Sequence, residues 1–109
     1  MGLKTSVLAR QMLTAARAEL DDKWPDVKRY AETEAKKLAS TIVMIEKLKL
    51  EGKISRNQAK ILLDMQKNTS RVILLTIEGL SLLAAEAAVN AAVKSIRDTV
   101  NSAIGWRLI

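Results

Sequence analysis

The chain of 109 residues contains no cysteine, no histidine and no phenylalanine. Without Cys and His, disulfide frameworks, zinc sites, thiol nucleophiles, haem ligation by either residue and imidazole acid–base chemistry are excluded. A ferritin-like di-iron bundle falls with them, because it needs Glu-x-x-His pairs on facing helices. The aromatics are limited to Trp24, Tyr30 and Trp106, so Ala, Leu, Ile and Val must fill the core. One Pro and four Gly leave few turns, and β-branched residues do not alternate with polar ones, which removes support for strands. The length suits a single domain with a real core. An all-α domain over residues 1–109 follows.

Charge is present in excess of one sign but is unevenly placed. The net charge is +6: residues 1–71 hold fifteen Lys or Arg against nine Asp or Glu, and residues 72–109 hold three against three. Lys47, Lys49, Lys53, Arg56, Lys60, Lys67 and Arg71 face only Glu51 and Asp64, so the excess gathers around one turn. Such a turn suits an acidic protein or an anionic lipid surface, although a solvated helix tip is its plainest reading. Nucleic acid is a poor partner, because no aromatic residues interleave with the bases and no recognition-helix motif accompanies them.

That turn is the clearest punctuation in the chain. Gly52 can take the left-handed conformation that ends a helix, and Ser55 with Gln58 three residues later reads as a capping box that starts the next. Before it, Val27, Ala31, Ala35, Leu38, Ile42, Ile45 and Leu48 recur at helical spacing, predicting a helix over 25–51. Glu32 with Lys36 and Glu34 with Lys37 read as solvated pairs on the opposite face. An earlier stripe, Leu8, Met12, Ala16 and Leu20, predicts a helix over 5–22, and Pro25 either kinks the chain or opens the next helix.

After Ser55 the pattern runs to Gly105, predicting one helix over 56–104, of roughly 73 Å at ~1.5 Å per residue. Gly79 lies inside it, as a close helix contact or a kink. The two earlier helices, roughly 27 and 40 Å long, together match that length. The expected architecture is therefore an antiparallel hairpin whose first arm bends near Pro25. Within the long arm, Val72 to Val93 is apolar almost all round, more than one hairpin covers. Two hairpins would cover it as a homodimeric, coiled-coil-like four-helix bundle. The rival is a monomeric bundle in which the long arm breaks near Gly79 and folds back.

The seam expected between copies consists of Ile73, Ile77, Leu80, Leu83, Ala84, Ala87, Ala88 and Ala91, within an alanine-rich surface that lets backbones approach closely. Ordinary packing inside one chain is its competing reading, since Ala is also the best helix former. Glu78, Glu86 and Asn90 stand near one another around the axis. A metal-carboxylate enzyme is conceivable there, but no nucleophile or phosphate loop joins them. Pairing with Lys94, Arg97 or a partner's base at the edge of the seam is the simpler reading.

Signals for membranes and addresses are slight. Two acids and an Asn argue against insertion of Val72 to Val93, whereas an interfacial amphipathic helix survives that objection. The ending Gly105-Trp106-Arg107-Leu108-Ile109 reads as a lipid contact or as a final turn capping the bundle. Gly2 followed by Ser6 matches a short acylation pattern, and the acid-free start with Lys4, Arg10 and Arg17 suits a presequence. Arg10 breaks any secretory apolar core, so a cytoplasmic or membrane-peripheral location is expected. Asn68-Thr69-Ser70 is a glycosylation sequon in form, placed mid-helix. The Glu51-Gly52-Lys53 turn lacks the Trp-x-Gly of small secreted helical hairpins, and no other motif carries a family resemblance.

The function expected is a non-enzymatic assembly or protein-interaction module without cofactor or metal, self-associating as a homodimer or higher oligomer. Its alternative is a peripheral membrane protein. On the first reading Ala88→Glu dissociates the assembly or unfolds the chain, while reversing the charges of Lys53 and Arg56 leaves mass and helicity, read by light scattering and circular dichroism, unchanged.

Overall fold

The computed structural model describes residues 2–109 and contains helices and turns, with no strand among the described residues. Five α-helices follow in order: α1 Thr5–Glu19, α2 Trp24–Leu50, α3 Arg56–Leu75, α4 Leu82–Ser95 and α5 Arg97–Ile104. At ~1.5 Å per residue, α2 is roughly 40 Å long, close to the 43 Å long axis of the molecule. It is the mast on which the rest is hung. The first four helices reverse direction in turn, and α1 packs on α2, α2 on α3, α3 on α4 and α4 back on α1. One chain therefore closes an up-and-down four-helix bundle, with α5 against the far end of α2.

Two reversals depart from the expected hairpin. After Leu20 a single 3-10 turn, Asp21–Lys23, leads directly into α2, with Pro25 in its first turn, where a missing N–H is no loss. The first helix thus folds back along the second instead of continuing it. Leu20 is buried in this corner, and the Arg17 guanidinium lies 5.5 Å from the centre of the Trp24 ring. The expected single helix over 56–104 is likewise three helices. It stops at Leu75, reverses through 76–81 and resumes at Leu82. Gly79 turns with φ +84°, and the Ser81 hydroxyl then accepts the Ala84 N–H at 3.1 Å to start α4.

The tip between α2 and α3 is built as its sequence predicts. Gly52 is left-handed at φ +68°, the Gln58 N–H donates to Ser55 Oγ at 3.1 Å, and the Ser55 N–H donates to Gln58 Oε1 at 2.9 Å. The core runs the length of the bundle: Leu8, Met12, Val27, Ile42, Ile45 and Leu63 are almost wholly buried, joined by Ile96 and Val100 from the last part of the chain. Among the described residues no helix is long and apolar enough to cross a membrane.

Gly79 lets the second half of the bundle fold back in left-handed backbone, so a side chain there is costly. Left-handed backbone costs an L-residue about 1–2 kcal/mol, and Asn less, while an added Cβ would also stand 3.1 Å from Lys23 Nζ. Gly79→Ala is expected to lower the unfolding free energy by about that amount, and Gly79→Asn by less. Gly52→Ala, in open space at a similar φ, supplies the purely conformational reference in urea titrations of the three variants.

Candidate protein-interaction surface

The seam residues do not form one free surface. Ala88 is 1% exposed and Leu80 is buried, both within the single chain. Ile73, Ile77, Ala84, Ala87 and Ala91 are half-buried, and Leu83 alone stands out at 78% exposure. The reason is the seating of α4 on α1: Ala88, Val89 and Ala92 meet Met12, Ala16 and Leu20 around a common interior space, small side chains letting the two backbones approach. The close contact read from the alanines is thus made to α1. That space, ≈ 20 Å³, holds about one water molecule and no metabolite.

The wall of this cavity carries Glu34 and Ser70, which corrects the reading of Glu34 as a solvated-face charge. Its side chain is buried; Oε1 accepts the Ser70 hydroxyl at 2.8 Å, and Oε2 lies 3.4 Å from Lys37 Nζ. Gln66 Nε2 donates to Ser70 Oγ at 3.3 Å. A signal for this was present: Ser70 falls on the inner stripe of α3 with Ala59, Leu63 and Leu74, where a polar residue demands a partner.

The remaining acids are separated. Glu78 lies exposed in the 76–81 turn, while Glu86 accepts from Arg71 Nη1 at 3.1 Å across the α3–α4 groove, a partner other than the Lys94 or Arg97 expected. Asn90 lines the same groove, with Asp64, Lys67 and Asn68.

Of the basic turn, Lys49 is half-buried and turned toward the C-terminus. Its ammonium donates to the Ile104 carbonyl and lies 5.0 Å from the centre of the Trp106 ring. This contact pins the C-terminus, where Asn101 Oδ1 also accepts the Leu108 and Ile109 N–H groups, each at 3.0 Å. The ending thus caps the bundle, with Leu108 buried and Trp106 half-buried. At the other terminus Glu46, also buried, accepts the Leu3 N–H at 2.8 Å. Lys47, Lys53 and Arg56 stay exposed and Lys60, Lys67 and Arg71 are half-buried.

The surface that does stand free is the outer face of α3. Ile61 and Met65 are each 60% exposed and Val72 is 54% exposed. Each stands two residues after an inner one (Ala59, Leu63, Ser70), and two residues turn a helix by ~200°, so the helix carries one apolar stripe inward and another outward. Leu75, Leu82 and Leu83 extend the outer stripe over the 76–81 corner, all of them exposed. Val72, Leu75, Leu82 and Leu83 belong to the segment read as apolar all round, Val72 to Val93, whereas Ile61 and Met65 precede it and carried no expectation. The spacing of 61, 65 and 72 was the available signal for a second face.

The outer face of α3 offers apolar contact area. It presents no nucleophile beside a base, and no group of three potential metal-ligating side chains occurs among the described residues. No protein-family model, curated protein or solved structure matches this chain significantly.

Removal of the Ser70 hydroxyl leaves a buried carboxylate oxygen without its donor. Ser70→Ala is therefore expected to cost about 1–3 kcal/mol. Adding Glu34→Leu, which removes the charge and keeps the volume, is expected to restore part of that loss. Denaturant unfolding of both single variants and the double variant measures the coupling.

Proposed function

We propose that this chain is a non-enzymatic helical interaction module that docks through the outer apolar face of α3. The exposure of Ile61, Met65 and Val72 in one line, opposite the core, carries this reading. Scattered exposed apolar residues need no explanation, whereas a line of them along one helix face, interrupted at Asn68 and Thr69, does. Covering each of these side chains would contribute about 1–2 kcal/mol, enough for a contact without any new backbone structure. Self-association, as expected from the sequence, would use this face and its continuation at Leu83, since Leu80 and Ala88 are occupied inside the chain.

The peripheral-membrane reading rests on the same stripe and the bases beside it. Its other supports are engaged elsewhere: Trp106 lies against Lys49, and Val72 to Val93 is divided by the turn. It remains a competing occupant of one surface.

A photo-reactive residue tests the docking face directly. Placed at Met65 or Val72 in the cell that makes the protein, it is expected to give discrete cross-linked products. At Thr14, exposed on α1, it is expected to give none. A product of twice the 12.0 kDa chain mass identifies a second copy. No product from either α3 position counts against the docking face. Ala88→Glu is expected to unfold the chain, because it places a second carboxylate at the cavity that already holds Glu34; circular dichroism reads the loss.

A further inference from the structure

We propose that the groove between α3 and α4 binds a small zwitterion, with a carboxylate and an ammonium at opposite ends of a short methylene chain. The groove has a volume of ≈ 460 Å³ and is lined by Asp64, Lys67, Asn68 and Arg71 of α3 and by Glu86, Val89 and Asn90 of α4. It is separate from the cavity at Glu34 and from the outward stripe of α3. The Arg71 guanidinium carries the argument. Its Nη1 donates to Glu86 at 3.1 Å, whereas its Nε is buried with no hydrogen-bond partner, the one such side-chain atom among the described residues. A buried donor is costly while it lacks an acceptor, so an orphan on the wall of a groove marks where an acceptor is wanted. The Arg71 side chain is 36% exposed, and rotation about its flexible bonds brings Nε onto an anion held in the groove.

The other polar side chains of the groove define both ends of the ligand. Among the described residues Lys67 and Asp64 have no ion pair, and neither carboxamide, of Asn68 or Asn90, has a protein hydrogen bond. Arg71, Lys67 and the two carboxamides supply N–H donors for a carboxylate. Asp64 opposes a simple anion, and with Glu86 it brings the charge of the lining to zero against Lys67 and Arg71. A ligand of zero net charge with separated ends meets both signs. Along α3, Asp64, Lys67 and Arg71 stand one turn apart. A carboxylate between Lys67 and Arg71 and an ammonium at Asp64 are therefore roughly 5–10 Å apart. Several methylenes span that distance, and Val89, buried and apolar, lies beneath them.

The probe is ε-aminohexanoate, titrated into the isotope-labelled full chain while nuclear magnetic resonance follows the Arg71 Nε–H and the Asn68 and Asn90 carboxamides. These resonances are expected to move together and to saturate. Hexanoate lacks the ammonium, hexylamine lacks the carboxylate, and free glycine holds its two charges too close. Each is expected to bind at least about tenfold more weakly, the loss of one charge-assisted hydrogen bond. Asp64→Asn should erase the advantage of ε-aminohexanoate over hexanoate, and Lys67→Met should weaken both. Asp64 is exposed and Lys67 half-buried, and unchanged resonances elsewhere in the chain verify that each variant keeps its fold. Equal binding of ε-aminohexanoate and any of the other three to the native chain overturns the zwitterion. If none of the four moves the Arg71 and carboxamide resonances, the site itself is overturned.

Discussion

The reversal at Thr76–Ser81 is the constraint on which the rest of the structure depends. A helix apolar on every side cannot be satisfied by one neighbour, and dividing it lets each half present a different side to the core. After the turn α4 reaches α1, which no continuous helix from Arg56 would do, and the fourth wall of the bundle closes. Leu74 and Leu80 are then buried on either side of the turn, and Ala85, Ala88 and Ala92 lie inside. Gly79 makes the turn possible in a left-handed conformation, and Ser81 gives the new helix a hydrogen-bonded start. The self-association seam drawn from the alanines depended on this turn being absent.

What the sequence made legible, and what it hid, follows from how local each signal is. The tip at Gly52 was legible because a left-handed glycine is followed by a complete capping box, with both reciprocal bonds formed. The second reversal uses the same grammar, Gly79 and then Ser81, but Ala84 stands where Gln58 closes the first box. A glycine within an apolar run reads equally as a close contact, so only packing against α1 decides it. Trp24-Pro25 marked a boundary truly, yet the direction taken after it depends on Leu20 finding the core. Glu34 was hidden for a different reason: its partner lies thirty-six residues away, and the sequence-local partner Lys37 pairs with the same carboxylate. The basic turn was legible as charge, except that Lys49 is drawn off by the Ile104 carbonyl and Trp106.

The outer face of α3 is decided by what lies on its inner face. Inward the helix offers Ala59, Leu63, Leu74 and the polar Ser70; outward it offers Ile61, Met65 and Val72. Burial of apolar area alone does not decide this choice, because Leu62, Leu63 and Leu74 pack inward while Ile61, Met65, Val72 and Leu75 stand outward. Polar contacts fix it. Turning α3 by ~200° would bring the outer stripe inside, but would carry Ser70 away from Glu34 and Arg71 away from Glu86. The Glu34 carboxylate, enclosed by α1, α2 and α4, would then be left without its donor, at a cost of about 1–3 kcal/mol or more for a charged group. The two apolar sets are of comparable bulk, so that polar cost, with the Arg71–Glu86 pair, weighs on the observed side. A buried polar bond thus selects the rotation of the helix, and with it the apolar ridge that the molecule presents to its surroundings.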